Sequence, residues 1–155
     1  MKGAPVIARA EIADLDALAP LLEGYRAFYR QAADVAGSRA FLEQRLSRGD
    51  SVIFLAREGG GAGGAALGFA QLYPTFSSVR VSARWILNDL FVVPGARGGG
   101  VGRALTLRCM EHCRSSGASG LMLLTEHTNT GAQRLYESLG WKPDLEYKRY
   151  TWSVT

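Results

Sequence analysis

The chain has 155 residues, enough for one domain with a core of its own. At 47% hydrophobic and 21% charged it has the balance of an ordinary globular protein, which excludes a disordered or fibrous chain. The net charge of +4 comes mostly from arginine and forms no polybasic block, so it gives no ground for nucleic-acid binding.

No apolar run approaches the ~20 residues of a membrane span. Arg9 and Glu11 interrupt the N-terminal segment where a signal peptide needs an apolar stretch. The expected location is the cytoplasm, with no membrane partner.

Taken in order, "VIARA" over 6–10 reads as a strand. A helix follows from Asp14 as N-cap, with Leu15, Leu18, Leu22, Tyr25 and Tyr29 at helical spacing. Pro20 is expected to kink or split it. A second helix, capped by Ser38, ends near Gly49. "SVIFLAR" over 51–57 is a strand, and the Gly-rich segment 58–66 is a hairpin loop rather than a linker. "LGFAQLY" is the return strand, "PTFSSV" a turn, and "SARWILNDLFVV" over 82–93 a long strand. A helix is expected over about 101–115 and a central strand over 120–127. Next comes a short helix capped by Asn129 or Thr130 and ended by Gly140. The segment 145–154 reads as one or two strands. The pattern predicts a single α/β domain over 1–155, a mixed sheet with helices on both faces. Cys109, His112 and Cys113 share a helix, but no fourth ligand or C-x-x-C pair accompanies them. Core packing is the reading for both cysteines, with no metal.

The stretch "VPGARGGGVGRAL" joins the long strand to the third helix and holds four glycines within five residues. It fails the P-loop pattern, since Val101 stands where the lysine belongs. It fails the dinucleotide pattern, since Arg103 and Leu105 stand where a third glycine belongs. The physics of an anion site remains. Glycines let backbone N–H groups converge, and a helix N-terminus adds free donors and a positive dipole end.

"VVPGARGGGVGRAL" resembles the signature loop of the GNAT superfamily of acyl-CoA-dependent N-acyltransferases, R/Q-x-x-G-x-G/A, filled by Arg97, Gly100 and Gly102. "NTGAQRLYESLGW" is similar to the family's N-x-x-A-x-x-L/F-Y-x-x-x-G-F/W helix, with Asn129, Ala132, Leu135, Tyr136, Gly140 and Trp141 in place. More narrowly, "YRAFYR", "AFLEQRL" and "QLYPTFSS" resemble a branch described as histone or polyamine acetyltransferase-like.

The resemblance implies a mostly antiparallel sheet whose strands 4 and 5 splay apart, and acetyl-CoA as co-substrate. Backbone N–H groups of Gly98, Gly99, Gly100, Val101, Gly102 and Arg103 would hold the pyrophosphate, with Arg97 adding charge and Asn129 and Ala132 bordering the cofactor. Pantetheine would pair with Phe91, Val92 and Val93, and an N–H near Val92 would polarise the thioester carbonyl. Tyr136 matches the family's general acid. Some polyamine-acting relatives carry a carboxylate where this chain has Asn88, so the base stays open among Asp89, Glu126 and His127, each acting through water, with an amine that arrives already deprotonated as the alternative. Tyr25, Phe28, Tyr29, Tyr73 and Phe76 are candidate walls for a cationic amine acceptor of small-molecule or peptide origin, with core packing as the rival reading. A homodimer through the C-terminal strands and Trp152 is compatible with the resemblance. The alternative functions are a non-catalytic acyl-CoA-binding module and, more remotely, a nucleotide-binding protein.

Overall fold

The computed structural model describes residues 3–59 and 63–154; the middle of the Gly-rich 58–66 loop lies outside them. The chain gathers into two compact units, one up to Leu124 and one from Thr125 onward.

The first unit holds β1 (Val6–Arg9), α1 (Leu15–Phe28), α2 (Val35–Arg48), β2 (Val52–Arg57), β3 (Ala66–Ser77), β4 (Ser82–Val92), α3 (Val101–Ser115) and β5 (Leu121–Met122). The strands lie in the order β1-β2-β3-β4-β5. Every pair is antiparallel except β4 with β5, which is parallel. This is the expected mixed, mostly antiparallel α/β sheet.

β2 is buried on both faces, and its alternation divides the core. Ile53 and Leu55 join Phe69 and Phe91 beneath Leu15, Leu18, Leu21 and Leu22 of α1 and Leu42 of α2. Phe54 points the other way, where it meets His112 and Arg108 of α3. Cys109 and Cys113 are free and buried on that helix, and burial pushes the Cys109 thiol up to about 12. Among the described residues no helix is long and apolar enough to cross a membrane.

Several local expectations differ in whole or in part from the structure. Pro20 lies inside α1 without dividing it; the leucines packed on the sheet hold the helix where one backbone bond is missing. Asp14 stands at the N-cap position of α1, as expected, but its side chain makes no cap bond there. Its carboxylate accepts from Glu11 N–H at 2.9 Å and pairs with Arg57 at 3.0 Å, closing a 3-10 turn over Ile12–Asp14. Asp34, not Ser38, caps α2; Ser38 is buried and donates to Glu23. β3 runs through Pro74 to Ser77. β2 reaches only as far as Leu72, so the missing proline N–H breaks no ladder bond. Finally, β5 is two residues long, and residues 142–154 contain no strand.

Candidate active site

β4 carries one residue too many for its partner. Gln71 faces Asp89, but Leu72 faces Leu87, so Asn88 is bulged out of the ladder. The bulge undoes the alternation that places Asn88 and Asp89 on opposite faces. Asn88 Nδ2 donates to Asp89 Oδ1 at 2.8 Å. Asn88 is exposed, whereas Asp89 is only 4% exposed. The other oxygen, Oδ2, accepts from Gln71 Nε2 at 2.5 Å, and Gln71 Oε1 accepts from Ser51 Oγ at 2.9 Å. Burial lifts the Asp89 carboxyl above its ordinary value, and the donors from Gln71, Asn88 and Tyr25 offset part of that. A raised carboxyl suits a base that works near neutral pH.

Tyr25 projects from α1 onto the same face, and its Oη donates to the Asn88 carbonyl at 3.0 Å. Its ring meets Tyr29 edge-on at 5.0 Å and Phe69 at 6.1 Å between centroids, and Tyr29 meets Phe28 at 5.2 Å. Tyr73 lies two residues beyond Gln71 on β3. Burial first, then the Asp89 charge, pushes its hydroxyl up to about 12. The same two causes push Tyr25 further in that direction. Both phenols are neutral donors at pH 7. Tyr25 and Tyr73 thus lie beside Asp89, while Tyr29 packs on Tyr25 and Phe28 on Tyr29. Phe76 does not join them. It is 81% exposed near the β3–β4 tip and, an odd number of positions from Tyr73, lies on the other strand face.

Beyond the bulge β4 has an open edge. β5 pairs with β4 only at Trp85 and Ile86, while β4 runs on to Val92. Val93 N–H donates to Leu67 on β3, so the N–H and C=O of Val92 face the opposite edge. There Arg97 Nε donates to the Val92 carbonyl at 3.0 Å. The Arg97 guanidinium also lies over the rings of Phe28, at 5.8 Å, and Phe91, at 5.7 Å. This arginine anchors the loop to the end of β4 as well as charging it.

After a 3-10 turn at Pro94–Ala96, the chain passes through left-handed conformations at Gly98 (φ 75°) and Gly100 (φ 83°). Glycine alone takes these up without strain. Nothing lies within 4 Å of where their Cβ atoms would stand. Gly100 is the N-cap of α3 and makes no side-chain cap. The first turn of a helix leaves backbone N–H groups without an i−4 acceptor, here beginning at Val101 and Gly102, and the positive dipole end lies at the same place. Val101 is buried and pins this helix end to the core, while Gly98, Gly99 and Arg103 are exposed. The arrangement fits a diphosphate.

The second unit contains α4 (Thr130–Ser138), and every remaining expected residue lies in it. The Asn129 side chain caps α4 by accepting from Ala132 N–H at 3.3 Å. Gln133 Nε2 donates to the carbonyls of Glu126 and His127 at 3.0 and 3.1 Å, which fixes the approach to the helix. At the far end Gly140 has φ 88° and donates to Glu137 O, while Trp141 N–H donates to Tyr136 O, both at 3.0 Å. This is a Schellman closure. Its usual apolar contact is the Trp141 ring, 5.7 Å from that of Tyr136. The Gly-Trp pair thus gives the candidate acid a fixed seat.

Ser51, Gln71 and Gly68 belong to the site yet carry no sequence signal, since each matters only through its strand register. A Cβ at Gly68 would lie 2.3 Å from the Phe91 carbonyl oxygen.

Residues 18–141 match the family described as Acetyltransferase (GNAT) family. The chain is 46% identical over 148 residues to the uncharacterized N-acetyltransferase YhfO of Bacillus subtilis, covering 96% of this chain and 97% of that protein. A crystal structure of a probable acetyltransferase superposes with a TM-score of 0.89 at 40% identity, over 97% of this chain and 98% of the other. A mycothiol acetyltransferase of Thermobispora bispora is 46% identical over 69 residues, 41% of this chain and 23% of that protein. These likenesses support the family and lend nothing to its histone or polyamine branch. The chain belongs to the GNAT family and is an acetyl-CoA-dependent N-acetyltransferase.

Proposed function

We propose that the chain moves an acetyl group from acetyl-CoA to a primary amine of a small molecule or peptide, by direct attack while both substrates are bound. The thioester supplies the activated acetyl group. The open edge of β4 at Val92, directly followed by the glycine loop, carries this reading.

In this reading the N–H groups of Gly98 to Arg103 hold the pyrophosphate, and Phe91 to Val93 pair with the pantetheine arm. The Val92 N–H polarises the acetyl carbonyl. Tyr136 donates a proton to the departing sulfur. Asp89 takes the proton from the amine through one water, with Glu126 as the second candidate. Tyr25, Phe28, Tyr29 and Tyr73 form the wall for a cationic amine, next to the Asp89 carboxylate.

The test is release of CoA thiol from acetyl-CoA across a panel of primary amines: alkyl amines, polyamines, amino sugars and peptides with free N-termini. At least one is expected to stimulate release, with the acetyl group found on its nitrogen. Acetyl-CoA binding seen by thermal shift, with no stimulation by any amine, would contradict the reading. Loss of that stimulation in Asp89→Asn but not in Glu126→Gln assigns the base.

A further inference from the structure

We propose that Gln71, seated by Ser51, is a positioning residue that closes Oδ2 of Asp89 to protons and makes Oδ1 the oxygen that exchanges one with the acceptor amine; this rests on the reading of Asp89 as the base.

The two carboxylate oxygens have unequal partners. Oδ2 takes its hydrogen bond from Gln71, which is wholly buried and cannot be displaced by solvent or substrate. Oδ1 takes its hydrogen bond from the Asn88 side chain, which is exposed and sits at the bulge. A water or an ammonium group can replace Asn88 there, and none can replace Gln71. The amide of Gln71 is itself held. Ser51, 7% exposed, donates to Oε1, which leaves Nε2 facing the carboxylate. In the opposite orientation a carbonyl oxygen would face a buried carboxylate, a costly arrangement.

With Oδ2 occupied by an N–H in both charge states, the amine nitrogen gives its proton to the intervening water, which passes one of its own to Oδ1; that proton later returns from Oδ1 to solvent water. Every other titratable group facing Asp89 stays in one state during this cycle. Tyr25 of α1, with Tyr29 behind it, and Tyr73 of β3 remain neutral, since burial raises Tyr25 and Tyr73 well above the working range. Beyond Tyr73, Arg45 of α2 is paired with Asp50 at 3.2 Å.

The test is a titration of the Asp89 carboxyl by ¹³C NMR in the whole protein. Its signal is assigned by its loss in Asp89→Asn, and the pH profile of kcat/KM is measured alongside. Gln71→Leu removes the buried donor and is expected to raise the Asp89 midpoint by about one to two pH units. The acid limb of kcat/KM should move by the same amount. Ser51→Ala, the milder change, should shift both in the same direction by less. An unmoved midpoint in folded Gln71→Leu and Ser51→Ala would overturn the proposal. A midpoint that moves while the acid limb stays still would leave the cradle standing and overturn Asp89 as the base.

Discussion

Asp89 concentrates the chemistry of the first unit, and its burial has a consequence for stability that can be read apart from activity. Its folded-state carboxyl lies above the ordinary value. Between those two values the folded chain keeps a proton that the unfolded chain has released, so stability falls as pH rises through that window. Asn at this position cannot ionise. The difference in Tm between Asp89→Asn and wild type should therefore move in the variant's favour as pH rises from about 4 to neutrality. A difference independent of pH would contradict the assignment. The same variant is expected to lose about 10²- to 10⁴-fold in kcat. Tyr136 carries the complementary prediction. Tyr136→Phe keeps the ring that packs on Trp141 and removes only the hydroxyl. It should lower kcat by about 10- to 10⁴-fold with the fold unchanged, the upper end being typical of proton transfer. Wild-type turnover at every pH would remove the tyrosine from the mechanism.

At the scale of elements, what was legible in the sequence was what local backbone chemistry decides. The glycine loop is readable because Gly98 and Gly100 must take left-handed backbone. The tyrosine helix is readable because Asn129 caps it and Gly140 with Trp141 closes it within one stretch of chain. The β4 bulge was not readable. An extra residue at Asn88 appears only when β4 is laid against β3, and that register is set by pairing across the sheet. Pro74 misled for the same reason: whether a proline ends a strand depends on whether a neighbour needs its N–H. Gly68 gives this scale its own prediction. An added Cβ would stand 2.3 Å from Phe91 O and 3.1 Å from Val92 Cα, backbone atoms that cannot turn aside. Overpacking of this kind costs about 1–3 kcal/mol, and the strain falls where pantetheine is expected to pair. Gly68→Ala should raise KM for acetyl-CoA about tenfold while leaving KM for the amine within about twofold of wild type. Equal effects on both constants would place the strain elsewhere.

For the molecule as a whole, one strand serves two substrates. β4 offers an open edge at Val92 and, four residues back at Asn88, a bulge that brings Asp89 beneath the aromatic face of α1. Arg97 ties the two together by bonding to Val92 and covering Phe28 and Phe91. That economy predicts simultaneous occupation, with the acetyl group passing straight to nitrogen. The most direct measurement is initial velocity with acetyl-CoA and the best amine of the panel both varied. Intersecting reciprocal plots, with no acetylated protein detected by mass spectrometry after acetyl-CoA alone, are the predicted result. Parallel plots together with an acetylated side chain would contradict it, since they require the acetyl group to rest on the protein before the amine arrives.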